Sequence, residues 1–281
     1  MKRLARDILI FLFLSFLALN GVGWALLKMG YMGQQVEAYW INERFQRAAK
    51  GDPQASVFVL GDSVAEQMYP TARYRGRITS YATVMPLTMA GQYYLLKEIA
   101  ASNDLNGKTV ALVVCPQSLG LDLDHLFSFH YVLKSFYNDE SGLAGDPIIQ
   151  TRLAMPWVAS LSQMPIIRHS NWRPPPWLKY LDEDALQPVA GVSEFSQHYL
   201  IKMKELVEAE GGEFVILPAI QKASNRDLEV WANIEQHAQE YGIGSLFERY
   251  REQAVFMDDS LFPDGIHLHD ANTIDENIFG L

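Results

Sequence analysis

The sequence has a single cysteine among its 281 residues. One cysteine cannot form an intramolecular disulfide, and a thiolate metal cluster needs several. Cys115 ends the apolar run 110–115, where a buried thiol that behaves as a small hydrophobic side chain is the usual occupant. We therefore expect Cys115 to be an inert core residue, and we exclude the disulfide-rich classes of protein.

Positive charge is also scarce. Lysine and arginine total 23 against 33 aspartates and glutamates, which gives a formal net charge of −10. A phosphate backbone repels an acidic chain, so nucleic acid is not an expected partner. Hydrophobic residues make up 49% of the chain and charged residues 20%, which is enough apolar surface for a sizeable core.

A long hydrophobic run stands near the N-terminus. Three basic residues precede residues 8–27, an uncharged run in which Ser15 and Asn20 are the only clearly polar side chains. A helix of about 20 residues crosses the hydrocarbon core of a bilayer, and a basic flank stays cytoplasmic, which exports the rest of the chain. The alternative is a cleaved signal peptide, although its apolar core is usually shorter. In both cases the main domain would be periplasmic or extracellular.

The rest of the chain alternates short apolar segments with helical patterns. Strands are predicted at 57–60, 78–84, 109–115 and 213–217, and helices at 91–101, 193–209 and 225–241. Such alternation predicts an α/β fold with a mostly parallel sheet covered on both faces.

We divide the chain into three parts. Residues 1–28 form the expected membrane anchor, and residues 29–54 form a helical linker with an amphipathic helix at 33–50. Residues 55–281 form one domain, with an insertion at about 119–192 that lacks a strong repeating pattern of its own.

The first candidate for chemistry follows the first predicted strand directly. In open α/β sheets, reactive groups collect at the carboxyl ends of the strands. Gly61-Asp62-Ser63 stands at such an end, where Gly61 permits a tight turn and Ser63 can present its hydroxyl at the sheet edge. Triplets of this kind also cap helices without any catalytic role, which is the alternative.

The second candidate lies near the C-terminus, where residues 264–267 read Asp-Gly-Ile-His. An aspartate three residues before a histidine can accept from one ring nitrogen and leave the other to face a nucleophile. Asp258 and Asp259 are rivals to Asp264 as the partner of His267, but the spacing favours Asp264. The alternative is a capping aspartate beside a surface histidine.

The two motifs, in this order, resemble the SGNH hydrolase superfamily, which includes GDSL-type esterases and acyltransferases. The resemblance implies a three-layer flavodoxin-like domain in which Ser63 is the nucleophile, His267 the base and Asp264 its orienting partner. The second block of the family supplies an oxyanion-hole glycine, which Gly91 matches best, so the N–H groups of Ser63 and Gly91 are the expected donors. A turn glycine without a catalytic part is the alternative for Gly91.

The third block departs from the family. The family commonly has Gly-x-Asn, whereas this chain has Cys-Pro-Gln-Ser at 115–118. That segment is similar to the anchored D-alanyl-transfer proteins of teichoic acid modification, and Gln117 offers an amide in place of the asparagine. The resemblance covers residues 57–118 and 261–268 and leaves the middle section unmatched.

The resemblance implies transfer of an acyl group, most simply acetyl, to an envelope or secreted polysaccharide, beside a multipass membrane acyltransferase as partner. A carbohydrate or lipid esterase with the same triad is the first alternative, and a degenerate polysaccharide-binding subunit is the second. Trp172 and Trp177 flank three prolines and could line a substrate face, or simply pack the insertion. His267 and His269 could pair at a metal, but no suitably spaced cluster accompanies them, so neither metal nor other cofactor is expected.

Overall fold

The computed structural model describes residues 2–74, 76–83, 87–124, 126–138, 142–182, 186, 189–248 and 250–269. The strand predicted at 78–84 is shorter than expected, because it ends at Ser80 and residues 81–83 have no strand structure. Residue 84, parts of the predicted insertion and the end of the predicted domain, 270–281, lie outside the described residues. The helices are α1 Lys2–Lys28, α2 Tyr39–Ala48, α3 Ser63–Met68, α4 Met89–Ser102, α5 Pro116–Leu119, α6 Lys134–Phe136, α7 Pro147–Arg152, α8 Pro156–Leu161, α9 Pro165–Arg168, α10 Glu194–Ala209 and α11 Val230–Glu240. The strands are β1 Val57–Gly61, β2 Ile78–Ser80, β3 Thr109–Val114, β4 Glu213–Pro218, β5 Gln221–Lys222 and β6 Phe256–Met257.

Four parallel strands form the central sheet in the order β2-β1-β3-β4. Val57 in β1 lies opposite both Ile78 and Thr109, so β1 and β3 occupy the middle of the sheet. Just beyond β4, β5 pairs in parallel with β6. The predicted α/β class with a parallel sheet is confirmed. Because the strands are parallel, β1, β2, β3 and β4 end at one edge of the sheet, which we call the carboxyl edge.

Both faces of the sheet are covered, because alternate strand residues belong to two different apolar clusters. Phe58 and Leu60 pack with side chains of α4 and α10. Val57 and Val59 pack on the other face, with α3. The near-continuous apolar character of the strands follows from burial on both faces.

Helix α2 begins at Tyr39, six residues after the predicted start, because residues 33–38 form turns. Asn171 in the insertion holds that segment: it accepts from the N–H of Glu37 at 2.8 Å and donates to the carbonyl of Gln35 at 2.9 Å. Helix α2 then buries Ile41 in the main core. The segment between α1 and β1 is therefore packed on the domain.

The N-terminal helix α1 has 27 residues and is long and apolar enough to span a membrane, a test that a signal sequence also passes. It contacts α9 in the insertion. The described part of the insertion contains the short helices α6–α9, a π-helical turn at Phe129–Leu133 and a 3₁₀ turn at Leu143–Gly145.

Candidate active site

The turn after β1 prepares Ser63 for chemistry. Ser63 is the first residue of α3, and Asp62 caps that helix by accepting from the N–H groups of Val64 and Ala65 at 3.0 and 3.4 Å. Capping therefore occurs in this motif, but Asp62 performs it and the Ser63 hydroxyl remains available. Gly61 has a φ of +152°, and a Cβ there would overlap the carbonyl oxygen of Val113, so the turn requires glycine.

Ser63, His267 and Asp264 form a hydrogen-bonded relay. The hydroxyl oxygen of Ser63 lies 2.7 Å from Nε2 of His267, although the two residues are 204 positions apart. Nδ1 of the same ring lies 2.6 Å from Oδ2 of Asp264. A carboxylate at Nδ1 keeps the ring proton on that nitrogen, so Nε2 is left to accept the serine proton. The structure thus brings together the three residues that the two motifs nominated.

The loop around Asp264 keeps its carboxylate ionised. Its other oxygen accepts from the N–H groups of His267 at 2.7 Å and Ile266 at 2.9 Å. The backbone N–H of His267, then its imidazole and then the N–H of Ile266 hold the pKa of Asp264 well below its usual range. At neutral pH the carboxylate can therefore stabilise a protonated His267 ring.

The carboxylates of Asp258 and Asp259, the two alternatives to Asp264, accept hydrogen bonds from serines outside the relay. Asp258 accepts from the N–H and hydroxyl of Ser260 at 2.9 and 2.6 Å. Asp259 accepts from the N–H of Ser224 at 2.9 Å. Both carboxylates hold neighbouring backbone in place, and the geometry selects Asp264 as the partner of His267.

Two polar residues that the sequence motifs did not nominate support the relay. Gln67 donates to the carbonyl of Leu268 and accepts from its N–H, both at 3.0 Å, which fastens the histidine loop to α3. Ser118 donates to Asp62 at 2.8 Å, which fastens the end of β3 to the nucleophile turn. For Gln67 a signal existed, because it follows Ser63 by four residues and so shares its face of α3.

The expected oxyanion donors are placed unequally. Within the described ranges the N–H of Ser63 has no partner, and it lies at the positive end of α3. Gly91 is buried as the third residue of α4, and a Cβ there would meet the side chain of Leu87. Gln117 is exposed on α5, one residue before Ser118. No hydrogen bond between described residues joins Gly91 or Gln117 to Ser63.

The two predicted substrate tryptophans differ from each other. The ring of Trp172 packs edge-on against Phe129 at 5.5 Å, whereas Trp177 is 79% exposed. As far as the described residues extend, no hydrogen bond or ring contact connects either tryptophan to the relay. Their predicted role in binding substrate stays a prediction.

The other two candidates from the sequence are Cys115 and His269. Cys115 is buried and unpaired, as expected, and burial raises the pKa of its thiol well above the usual value. His269 donates its backbone N–H to Leu261 at 2.8 Å. In the part of the chain that the structure describes, no group of three or more His, Cys, Asp or Glu residues could hold a metal ion.

Comparison of the chain with models of protein families, with curated proteins and with solved structures gives no match. The chemistry of this site is therefore argued from its own residues and geometry.

Proposed function

We propose that this chain is a membrane-anchored, exported serine acyltransferase of the SGNH type that acylates a hydroxyl of an envelope or secreted polysaccharide. The observation that carries the proposal is the continuous relay from Ser63 through His267 to Asp264, with contacts of 2.7 and 2.6 Å. Such a relay makes a weakly acidic hydroxyl nucleophilic at neutral pH.

In the first half-reaction the oxygen of Ser63 attacks the carbonyl carbon of an acyl ester, and its proton passes to Nε2 of His267. The negative charge on the carbonyl oxygen is stabilised by the N–H of Ser63, and further donors are expected from Gly91 and Gln117. When the carbon–oxygen bond to the leaving alcohol breaks, His267 returns the proton to that alcohol, and acyl-Ser63 remains. In the second half-reaction an acceptor hydroxyl gives its proton to Nε2 of His267 and its oxygen attacks the acyl carbon. The bond between that carbon and the oxygen of Ser63 then breaks, and His267 returns the proton to Ser63.

Three features support the SGNH assignment and the export of the domain. The strand order β2-β1-β3-β4 agrees with the start of the flavodoxin-like order 2-1-3-4-5. Ser63 follows the first strand of the sheet, and the Asp264–His267 loop follows the last described strand, as in the family's first and last blocks. The apolar helix α1 suits a membrane anchor with basic residues on its cytoplasmic side. A multipass membrane acyltransferase is the proposed donor partner.

An esterase is the second candidate, and the exposure of the relay favours it. The side chains of His267 and Asp264 are 36% and 55% exposed, so water can approach the base. A transferase must hold its acceptor in a reactive pose, because water at about 55 M competes for the acyl-enzyme.

The test is covalent labelling followed by product analysis. Full-length protein in detergent should react with a fluorophosphonate at Ser63, and Ser63→Ala should not. Labelling that persists in Ser63→Ala would disprove the nucleophile, and a folded protein that never labels would favour a binding subunit. The protein is then given a small activated acetyl ester together with an oligosaccharide acceptor. Acetylated oligosaccharide among the products identifies a transferase, and free acetate alone identifies an esterase.

A further inference from the structure

The N-terminal helix makes specific contacts with the insertion. Gly23 is buried in α1, and a Cβ there would lie 3.0 Å from Cβ of Pro165, so α9 packs directly on the helix backbone. Nε2 of His169 donates to the carbonyl of Gly23 at 3.1 Å. The N–H of Ile166 donates to the side chain of Asn20 at 3.3 Å. These contacts join α1 to the folded domain.

Asn20 fits this contact although it interrupts an apolar run. Its amide nitrogen donates to the carbonyl of Phe16 at 2.9 Å, and its amide oxygen accepts from Ile166, so both ends of the side chain are paired. Small residues and paired amide side chains are characteristic of helix contacts inside membranes. Asn20 and Gly23 therefore define a packing face on α1, and α9 occupies it.

The position of this face along α1 sets the depth of α9. The apolar run ends at residue 27, four positions after Gly23 and seven after Asn20. At 1.5 Å per residue, Gly23 lies about 6 Å and Asn20 about 10 Å inside that end of the run. Trp24 is exposed, and Lys28 lies 6.0 Å from its ring. Tryptophan and lysine side chains are both favoured at the membrane–water interface. If α1 spans the bilayer, α9 must lie at the depth of that interface.

The chain around α9 has the side chains that such a depth requires. Pro165, Ile166 and Ile167 are all partly exposed, and Trp157 on the preceding α8 is 59% exposed. Tryptophan and aliphatic side chains are favoured at the boundary between headgroups and acyl chains.

We propose that α9, together with Trp157 on α8, is a second membrane contact, occupied by lipid of the outer leaflet and docked on a retained α1. The inference goes beyond the chemistry proposed above and rests only on its membrane anchor. It implies that the domain is held against the membrane in one orientation, because the insertion is fastened to α1 through α9 and to residues 35–37 through Asn171. A docked domain suits a substrate that is presented at the membrane surface.

Two glycines of α1 provide a matched pair of variants. Gly23→Leu should force α9 away, because its side chain would collide with Pro165, whereas nothing lies within 4 Å of a Cβ at Gly21. Gly21→Leu adds the same apolar group to the same helix and should leave the contact intact. The full-length protein is reconstituted alone into phosphatidylcholine–phosphatidylglycerol vesicles. An environment-sensitive fluorophore is attached at Ile166→Cys, or at Glu235→Cys on the exposed face of α11 as the aqueous control.

We expect spin-labelled lipid, but not aqueous iodide, to quench the probe at position 166, and the opposite at position 235. In the Gly23→Leu background the probe at position 166 should become accessible to iodide, and in Gly21→Leu it should not. Quenching of position 166 by iodide alone in the parent protein would overturn the membrane contact. Equal behaviour of the two leucine variants would overturn the docking.

Two further outcomes are also decisive. The same probe can also be measured in native membranes, where other proteins are present. If position 166 is shielded there from both lipid and iodide quenchers, but not in the vesicles, a protein partner covers it instead of lipid, against the proposal. A mature protein that begins after residue 27 by mass spectrometry would remove the anchor on which the proposal rests. Neither outcome depends on fluorophosphonate labelling of Ser63, so failure of the proposed chemistry is distinguishable from failure of the membrane contact.

Discussion

Gln67 and Leu268 exchange two hydrogen bonds of 3.0 Å across 201 positions of sequence. The side-chain amide of Gln67 uses its nitrogen and its oxygen on the backbone of one residue, so it fixes both the position and the direction of the chain there. Leu268 follows His267 directly. The imidazole is therefore placed relative to Ser63 by a residue on the same helix as Ser63.

The first prediction concerns this clamp. Gln67→Ala should slow fluorophosphonate labelling of Ser63 by roughly 10- to 100-fold, because the base is no longer held in its reactive pose. It should also lower the free energy of unfolding by about 1–2 kcal/mol for two lost hydrogen bonds. Gln236→Ala on the exposed face of α11 removes the same side chain and should change neither quantity. An unchanged labelling rate in Gln67→Ala would show that the loop holds His267 without the clamp.

The second prediction separates Asp264 from its neighbours. Asp264→Asn keeps the shape of the side chain but no longer fixes the ring proton on Nδ1, and it should reduce the labelling rate by about 10²–10⁴-fold. Asp258→Asn should leave the rate nearly unchanged, because that carboxylate bonds to Ser260. Labelling rates measured on both variants at pH 7 check the assignment, which a larger loss in Asp258→Asn would reverse.

The third prediction concerns the turn before the nucleophile. A methyl group at Gly61 would overlap the carbonyl of Val113 and the side chain of Ala65. Gly61→Ala should therefore cost about 1–3 kcal/mol of stability and shift Ser63 away from His267. Gly145→Ala is the control, since nothing lies within 4 Å of its Cβ position. Thermal unfolding and labelling of both variants test this, and a native-like Gly61→Ala would contradict the required close approach.

The parts of the fold that sequence patterns predicted share one physical origin. Strands β1, β3 and β4 and helices α4 and α10 bury continuous or periodic apolar surface, and that local signal is visible in the sequence. The start of α11 was predicted at residue 225 but lies at Val230, because residues 223–225 form a 3₁₀ turn and the indole of Trp231 donates to the carbonyl of Asn225. Contacts of this kind, which fix where an element begins, leave little trace in periodicity.

The residues of the candidate site likewise fall into those that the sequence predicted and those that only the fold reveals. Ser63, Asp264 and His267 were nominated because their chemistry needs those residue types at a strand end and in a tight loop. Ser118 was not nominated as a partner of Asp62, because its 2.8 Å bond spans 56 positions and arises only when β1 and β3 pair. Supporting residues of this type have ordinary side chains and become recognisable only through the fold.

The fourth prediction follows from a buried histidine in the insertion. Burial, reinforced by the positive charge of Lys134, lowers the pKa of His130 to about 4. Between about pH 6.5 and 4, His130 is protonated in the unfolded chain but neutral in the folded protein. The free energy of unfolding therefore falls as the pH is lowered through that window. The loss should approach about 3 kcal/mol at pH 4.

The test compares thermal unfolding of full-length protein at pH 7 and 4.5. His130→Gln should flatten the difference, whereas His269→Gln at an exposed position should preserve it. If the parent protein and His130→Gln lose stability equally on acidification, the effect arises at other groups.

The last prediction concerns the choice between water and a sugar as acyl acceptor. Trp172 and Trp177 were both expected to bind substrate, but they are unequal as tests. Removal of Trp172 also removes its packing on Phe129, so a loss of activity in Trp172→Ala could come from folding or from binding.

Trp177 is 79% exposed, so Trp177→Ala should leave the free energy of unfolding within about 0.5 kcal/mol of the parent. If Trp177 holds an acceptor sugar, Trp177→Ala should lower acetyl transfer to an oligosaccharide several-fold. Hydrolysis of the same acetyl ester should be unchanged or faster, because acyl-Ser63 then persists longer and water reacts with more of it. Trp177→Phe keeps an aromatic face and should restore part of the transfer. The ratio of acetylated oligosaccharide to free acetate measures this partition directly, and a ratio that is equal in all three proteins would exclude Trp177 from the acceptor site.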